Sequence, residues 1–169
     1  MKRFITLIRH AKSDWGHPEL SDFDRPLNSR GERDAPLMGE KLAEKLSTLG
    51  TRFDFMIASP AVRAITTARS IANAVHYPLD KIATNPDIYL ASATELIHAL
   101  QSVSDNINHI ALVSHNPGLT TLSNALGSQR IFNLPTCGIM IIEVDIESWT
   151  QLNQGSGKSI DHLYPKQFQ

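Results

Sequence analysis

Cysteine is nearly missing from this chain. Of 169 residues only Cys137 carries a thiol, which excludes an intramolecular disulfide and a cysteine-based zinc cluster. An excess of one charge is also missing. Sixteen Lys and Arg stand against seventeen Asp and Glu, for a net charge of −1, so no basic field attracts nucleic acid and no acidic tail is present. No apolar run approaches the roughly 20 residues of a membrane span. The apolar segment that follows Met1-Lys2-Arg3 is too short for a signal peptide, so a cytoplasmic protein without membrane attachment is expected. There is no Gly-x-Gly-x-x-Gly for a dinucleotide. His17, His76, His98, His109 and His162 show no metal-ligand spacing. These absences leave a soluble chain of ordinary hydrophobic content (41%), long enough for one domain with a full core over residues 1–169.

What is present alternates. Residues 3–9 are short, apolar and β-branched, as a buried strand requires. Residues 10–28 are rich in Asp, Ser and Pro and read as a loop. Asn28 or Ser29 caps a helix whose apolar positions Met38, Leu42, Leu46 and Leu49 recur every three or four residues, with Gly50 as its stop. Asp54–Ala58 is a second strand. Ser59-Pro60 reads as an N-cap followed by proline at the first helical position, opening a helix with a stripe of Val62, Ile65, Ala68, Ala72 and Val75. Residues 81–89 form a weaker strand broken by Pro86. Ser92-Ala93-Thr94-Glu95 matches a capping box and starts a helix to about Val103. His109–Ser114 is the clearest strand, and Asn116-Pro117-Gly118 turns into a helix ending near Gly127. Residues 131–134 and 137–146 read as two late strands, and the segment from Gln154 on reads as a polar surface wrap, partly mobile. Strand–helix alternation of this kind implies a three-layer α/β/α sandwich, with a mostly parallel central sheet and a late antiparallel edge strand.

Four residues fall where such a sheet binds ligands, past the carboxyl ends of its strands. Arg9 and His10 follow the first strand, His115 follows the strand ending at Ser114, and Arg63 lies in the first turn after Ser59-Pro60. Two guanidinium groups can clamp phosphate oxygens bidentately. Helix N-termini nearby add backbone donors and positive dipole. A neutral histidine can act as nucleophile, and adjacent arginines favour neutrality by lowering its pKa. Lys12, Ser13 and Asn116 lie close enough to contact phosphate. Asp22, Asp24 and Arg25 read as ordering the loop through local ion pairs.

Four ordered blocks carry a resemblance that spans nearly the whole chain. Leu7-Ile8-Arg9-His10-Ala11-Lys12-Ser13, Asp24-Arg25-Pro26-Leu27-Asn28-Ser29-Arg30-Gly31, Ser59-Pro60-Ala61-Val62-Arg63-Ala64 and Val113-Ser114-His115-Asn116-Pro117 resemble the histidine phosphatase superfamily (phosphoglycerate mutase-like). Within it they are similar to the SixA-type phosphohistidine phosphatases, and Tyr164-Pro165-Lys166 fits that subgroup. The resemblance implies that His10 attacks phosphorus and becomes phosphohistidine, and that Arg9, Arg63 and His115 hold the phosphoryl oxygens. It implies that no metal or organic cofactor is needed. Many members place an acid after the third strand as proton donor. Here Glu95 is the carboxylate in that region, and the capping box already accounts for it. An imidazole protonated on its other nitrogen leaves as a neutral molecule, whereas an alkoxide needs a proton, so a missing acid favours P–N substrates. The short Tyr89–helix connection implies an open, shallow site.

The expected partner is a phosphorylated protein carrying phosphohistidine, on a signalling or phosphotransfer protein, or alternatively a small phosphate ester. The chain itself is expected to be a monomer or weak dimer. A small-molecule phosphomonoesterase of the same superfamily and a phosphate-dependent binding module that has lost turnover are the alternatives. Other phosphate chemistries fit poorly. Gly155-Ser156-Gly157-Lys158-Ser159 resembles the end of a P-loop, but Leu152 stands where the first glycine belongs. Asp22-Phe23-Asp24 ends no apolar strand, and no arginine follows Cys137 shortly enough for a cysteine phosphatase.

Overall fold

A computed structural model describes every residue, Met1–Gln169. Its strands are β1 (Lys2–Arg9), β2 (Phe55–Ala58), β3 (Ala83–Thr84), β4 (His109–Ser114), β5 (Ile139–Asp145) and β6 (Gly157–Leu163). Its helices are α1 (Ser29–Leu49), α2 (Val62–Ala74), α3 (Ala93–Gln101) and α4 (Gly118–Leu126). All six strands join one sheet in the order β3-β2-β4-β1-β5-β6. The pairs β2–β3, β2–β4 and β1–β4 are parallel, whereas β5 runs antiparallel to β1 and β6 antiparallel to β5. The sheet is therefore mostly parallel with an antiparallel addition at one edge, as the alternation in the sequence implies.

The strand period of two separates the core into two faces. Ile8, Ala111, Val113, Ile139 and Ile141 turn to one side, where Met38, Leu42 and Leu46 of α1 and Ala64, Ala68 and Ile71 of α2 cover them. Ile5, Leu7, Ile110, Leu112, Met140 and Ile142 turn to the other, under Leu96 and Leu100 of α3 and Leu119, Leu122 and Leu126 of α4. Each such fully buried Leu or Ile contributes about 1.5–3 kcal/mol of transfer free energy. The caps of α1 match the sequence reading: Asn28 accepts from the Gly31 amide at 2.9 Å, and Gly50 closes the helix at φ 70° in the left-handed region.

Four element readings change. Ser59-Pro60 does not cap α2, which starts at Val62 behind Ala61; the Ser59 hydroxyl faces the site instead. The weak strand over 81–89 shrinks to Ala83–Thr84, because a 3-10 turn at Pro86–Ile88 takes the rest. Residues 131–134 form no strand. Side chains pin that loop: Asn124 bonds both the amide and the carbonyl of Ile131, and Thr120 accepts from the Leu134 amide. The segment from Gln154 on is not a loose wrap, since Gly157–Leu163 adds β6 to the edge of β5.

Candidate active site

Register places the candidate residues together. Arg9 pairs with Ser114 across β1 and β4, and Ala58 of β2 pairs with Val113. His10, His115 and Ser59 are each the next residue along, so parallel strands deliver all three to one edge. The two imidazole centroids stand 5.2 Å apart. Arg63 arrives on the first turn of α2. Together with Arg9, Lys12, Ser13, Trp15, Asp22, Arg25, Leu90, Asn116 and Thr136 these histidines and Arg63 line a pit of about 360 Å³. Its floor is buried: His10 is 7% exposed, and Arg63 and His115 are 2% exposed.

His10 is held on both sides of its backbone. Its carbonyl accepts from the Cys137 amide at 3.0 Å, and the Ala11 amide donates to the Thr67 hydroxyl at 3.0 Å. On the ring, Nδ1 lies 2.8 Å from the Ala11 carbonyl. A carbonyl only accepts, so Nδ1 carries the proton and Nε2 keeps its lone pair. Burial pushes the His10 pKa down to about 4, and Arg63, Arg9 and Arg25 push the same way. The ring is thus neutral near pH 7, and burial rather than the arginines is the larger cause. His115 is lowered to about 3, by burial first and then by His10 and Arg63. Its Nε2 is 2.7 Å from the Ser59 hydroxyl, while its Nδ1 is buried without a partner. One nitrogen of this ring remains unclaimed whichever tautomer is present.

The cations are arranged by their own partners. Arg9 Nη1 donates to the Leu134 carbonyl at 3.0 Å, which aims the rest of the guanidinium at the pit. Arg63 donates through Nη1 to the Asp22 carbonyl at 2.6 Å and through Nη2 to the Asp22 carboxylate at 3.0 Å. Arg25 bonds the same carboxylate, donates to the Ser13 hydroxyl at 2.7 Å and stacks on Trp15 with 3.6 Å between guanidinium carbon and ring centroid. Tyr89 donates its hydroxyl to Asp22 and meets the His115 ring edge-on at 5.4 Å. Burial opposes ionisation of Asp22, but the bonds from Tyr89, Arg25 and Arg63 outweigh it and hold the carboxyl well below its usual range.

Of the residues singled out from sequence, Arg9, His10, Arg63, His115, Lys12, Ser13 and Asn116 all line this pit. Asn116, however, has no free donor. Its amide nitrogen serves Asn133 and Leu134, and its oxygen accepts from Thr120 twice, so it ties the 131–136 loop to α4. Glu95 is the correction. Its side chain closes the capping box with Ser92 on α3 and borders a separate cavity with Phe55, Asn85 and His98, so it does not reach the pit as a proton donor. Asp22 and Arg25 do form the local ion pair read from their spacing, yet they also line the pit. Ser59, Tyr89, Trp15, Leu90 and Thr136 were not read as site residues. The signal available for Ser59 was its place one residue beyond a strand, the same place His10 and His115 occupy. No cluster of His, Cys, Asp or Glu has the geometry to hold a metal ion.

The profile of the histidine phosphatase superfamily, branch 1, matches residues 5–87. Over that span, just under half of its length, the chain resembles the histidine phosphatase superfamily. The matched span holds Arg9, His10 and Arg63, and the sheet register then brings His115 to them. Over the full length the fold is similar to the protein histidine phosphatase SixA solved with tungstate, at TM-score 0.80, 18% identity and coverage of 98% of this chain and 99% of that one. It is also similar to phosphoglycerate mutase from Bacillus anthracis, at TM-score 0.67, 13% identity and coverage of 88% and 94%. In sequence it is 29% identical over 165 residues to an uncharacterized chloroplastic protein of Arabidopsis thaliana, covering 93% of this chain and 73% of that protein. Superfamily and neighbours together support a phosphatase, and no helix is long and apolar enough to cross a membrane.

Proposed function

We propose that the protein hydrolyses phosphohistidine on a phosphotransfer or signalling protein of the cytoplasm, through a phosphoryl group carried on His10. The observation that carries the reading is the charge state of the pit's one carboxylate. Asp22 lines the pit as an anion held by Arg63, Arg25 and Tyr89, so the site offers no carboxylic acid to protonate a departing alkoxide. A phosphorylated imidazole whose second nitrogen bears a proton needs none.

The Nε2 lone pair of His10 attacks phosphorus as the P–N bond to the substrate imidazole breaks. That bond's electron pair returns to the substrate nitrogen, and a neutral imidazole departs. Arg9 and Arg63 bind the equatorial oxygens in a loose transition state, with the His115 ring packed beside His10. Water then attacks the phosphoryl group, the bond to Nε2 breaks, and Nε2 recovers its lone pair while Nδ1 keeps its proton, donated to the Ala11 carbonyl. The surplus proton of the water leaves with phosphate and solvent. Arginine charge does the work, and no metal or organic cofactor enters.

The test has two parts. Brief mixing with labelled substrate is expected to leave acid-labile, base-stable phosphate on the enzyme, and His10→Ala to abolish both label and turnover. A phosphohistidine peptide is expected to be turned over with higher kcat/KM than a sugar phosphate. A clear sugar-phosphate preference would return the protein to the small-molecule phosphomonoesterases, and binding without any turnover would make it a phosphate-dependent binding module.

A further inference from the structure

The large apolar side chains left exposed on this protein are not scattered. They are Met1, Trp15, Leu20, Phe23, Leu79, Leu90 and Phe132. Met1 precedes β1 and Leu79 precedes β3, so both lie towards the amino ends of the parallel strands. The other five lie on the loops at the carboxyl ends. Trp15, Leu20 and Phe23 belong to the excursion between β1 and α1, which folds back on itself through the Ser13–Leu27 bridge. Leu90 follows Tyr89 at the pit wall. Phe132 sits on the loop that Asn116 and Arg9 tie down through Asn133 and Leu134.

Trp15 is 71% exposed and Phe132 fully exposed. Single exposed apolar residues need no explanation, but a group around one charged pit marks an interaction surface. The pit, about 360 Å³, has room for a phosphorylated side chain. Its cations, Arg9, Lys12, Arg25 and Arg63, stand against Asp22 alone, which complements a phosphoryl dianion. The apolar groups in and around it come from three separate segments of chain, a spread that a small ester does not cover. Aromatic residues beside arginine, around a desolvated centre, are the usual composition of strong protein contacts.

We infer that Trp15, Leu20, Phe23, Leu90 and Phe132 form a docking collar for a folded protein whose phosphorylated side chain rises from an apolar patch. The collar rests on the phosphohistidine reading above and deepens it. Its partner is recognised twice, by charge in the pit and by apolar contact around it. Phe132 and Leu20 lie outside the pit lining, so they separate the two recognitions.

The experiment compares the wild type with Phe132→Ser and with Leu20→Ser/Phe132→Ser on three probes: an aryl phosphate, free phosphohistidine, and a histidine phosphotransfer domain phosphorylated with phosphoramidate. Unchanged thermal midpoints establish that the variants fold. The variants are expected to keep kcat/KM within about twofold on the two small probes. On the phosphodomain they are expected to lose about tenfold or more, chiefly in KM. Equal kcat/KM of wild type and double variant on the phosphodomain would overturn the collar while leaving the phosphohistidine reading intact. A parallel loss on all three probes would also overturn it. Turnover of the aryl phosphate with none of either phosphohistidine probe would remove both.

Discussion

At the scale of single residues, Asp22 is the side chain whose role changed most between sequence and structure. An aspartate in a polar loop reads as local order, and its pairing with Arg25 is local. Its contact with Arg63 joins residues 41 positions apart, and nothing in the spacing announces that. The carboxylate fixes two guanidinium groups and also places a negative charge beside an anion site. Removing the charge while keeping the shape separates the two effects. In Asp22→Asn the amide oxygen still accepts, but repulsion toward a bound anion is gone. Two unit charges about 4 Å apart in a water-like medium interact by about 1 kcal/mol, so inorganic phosphate is expected to inhibit about fivefold more tightly. The kcat is expected to fall as well, because Arg63 and Arg25 are held less firmly. Product-inhibition constants check this, and weaker phosphate inhibition in Asp22→Asn would show that Asp22 assists anion binding. His10 carries a companion expectation. With a pKa near 4, its neutral form, the one the proposed attack needs, persists well below the range of a free imidazole. The acid limb of kcat/KM is therefore expected nearer pH 4–5 than 6.5, measured on a substrate whose own ionisation is known.

At the scale of elements, backbone approach matters more than side-chain type. Gly118 opens α4 against the segment after Tyr89. A Cβ there would meet the Ala91 carbonyl oxygen at 2.1 Å, far inside contact, and backbone cannot swing aside as a flexible side chain can. Gly118→Ala is expected to cost about 2–3 kcal/mol and to shift Tyr89 and Leu90 relative to His115. A lower denaturation midpoint and reduced turnover together would show it, whereas unaltered stability would mean that α4 is free to move. The elements that sequence located well are those with their own punctuation. Asn28 and Gly50 bracket α1, Ser92 and Glu95 open α3, and β4 is apolar throughout. Those it missed depend on neighbours. β6 contains Lys158, Ser159, Asp161 and His162 between few apolar residues, and its identity comes from pairing with β5. Ile131-Phe132-Asn133-Leu134 has strand-like composition, but amide and hydroxyl side chains from α4 satisfy its backbone before any strand does. Ser59-Pro60 has the grammar of a cap; one extra residue, Ala61, lets the serine turn to His115 instead. The principal four site residues were legible because parallel strands impose a common edge, whereas the walls come from loops with no such rule.

At the scale of the whole molecule, the same burial that prepares the site sets the acid limit of the fold. His10, His115 and His109 all titrate far below the ordinary 6.5, at about 4, 3 and 3. His10 and His115 stand at the carboxyl edge of the sheet. His109 lies at the other end of β4, buried between the hydroxyls of Thr6 and Thr51 at 2.7 and 3.0 Å. Desolvation is the first cause in each case. A histidine with a depressed native pKa binds protons more readily when unfolded, so stability rises with pH through the interval between the two values. Going down from pH 6.5 to about 4, the unfolded chain takes up protons that the native state refuses. Each such proton contributes a slope of about 1.4 kcal/mol per pH unit. Asp22 acts in the same direction at lower pH, since its native pKa is also depressed and its stabilisation fades as the carboxylate is protonated. The urea midpoint is therefore expected to be flat above pH 7 and to fall steeply between pH 6 and 4. Replacing His109 by Gln, which can still bond both threonines, should flatten that fall by roughly one proton's share without altering the reactive pit. A midpoint independent of pH across this interval would mean that these rings are solvated, and a solvated His10 would be partly protonated near pH 6.5, which the proposed attack at phosphorus does not allow.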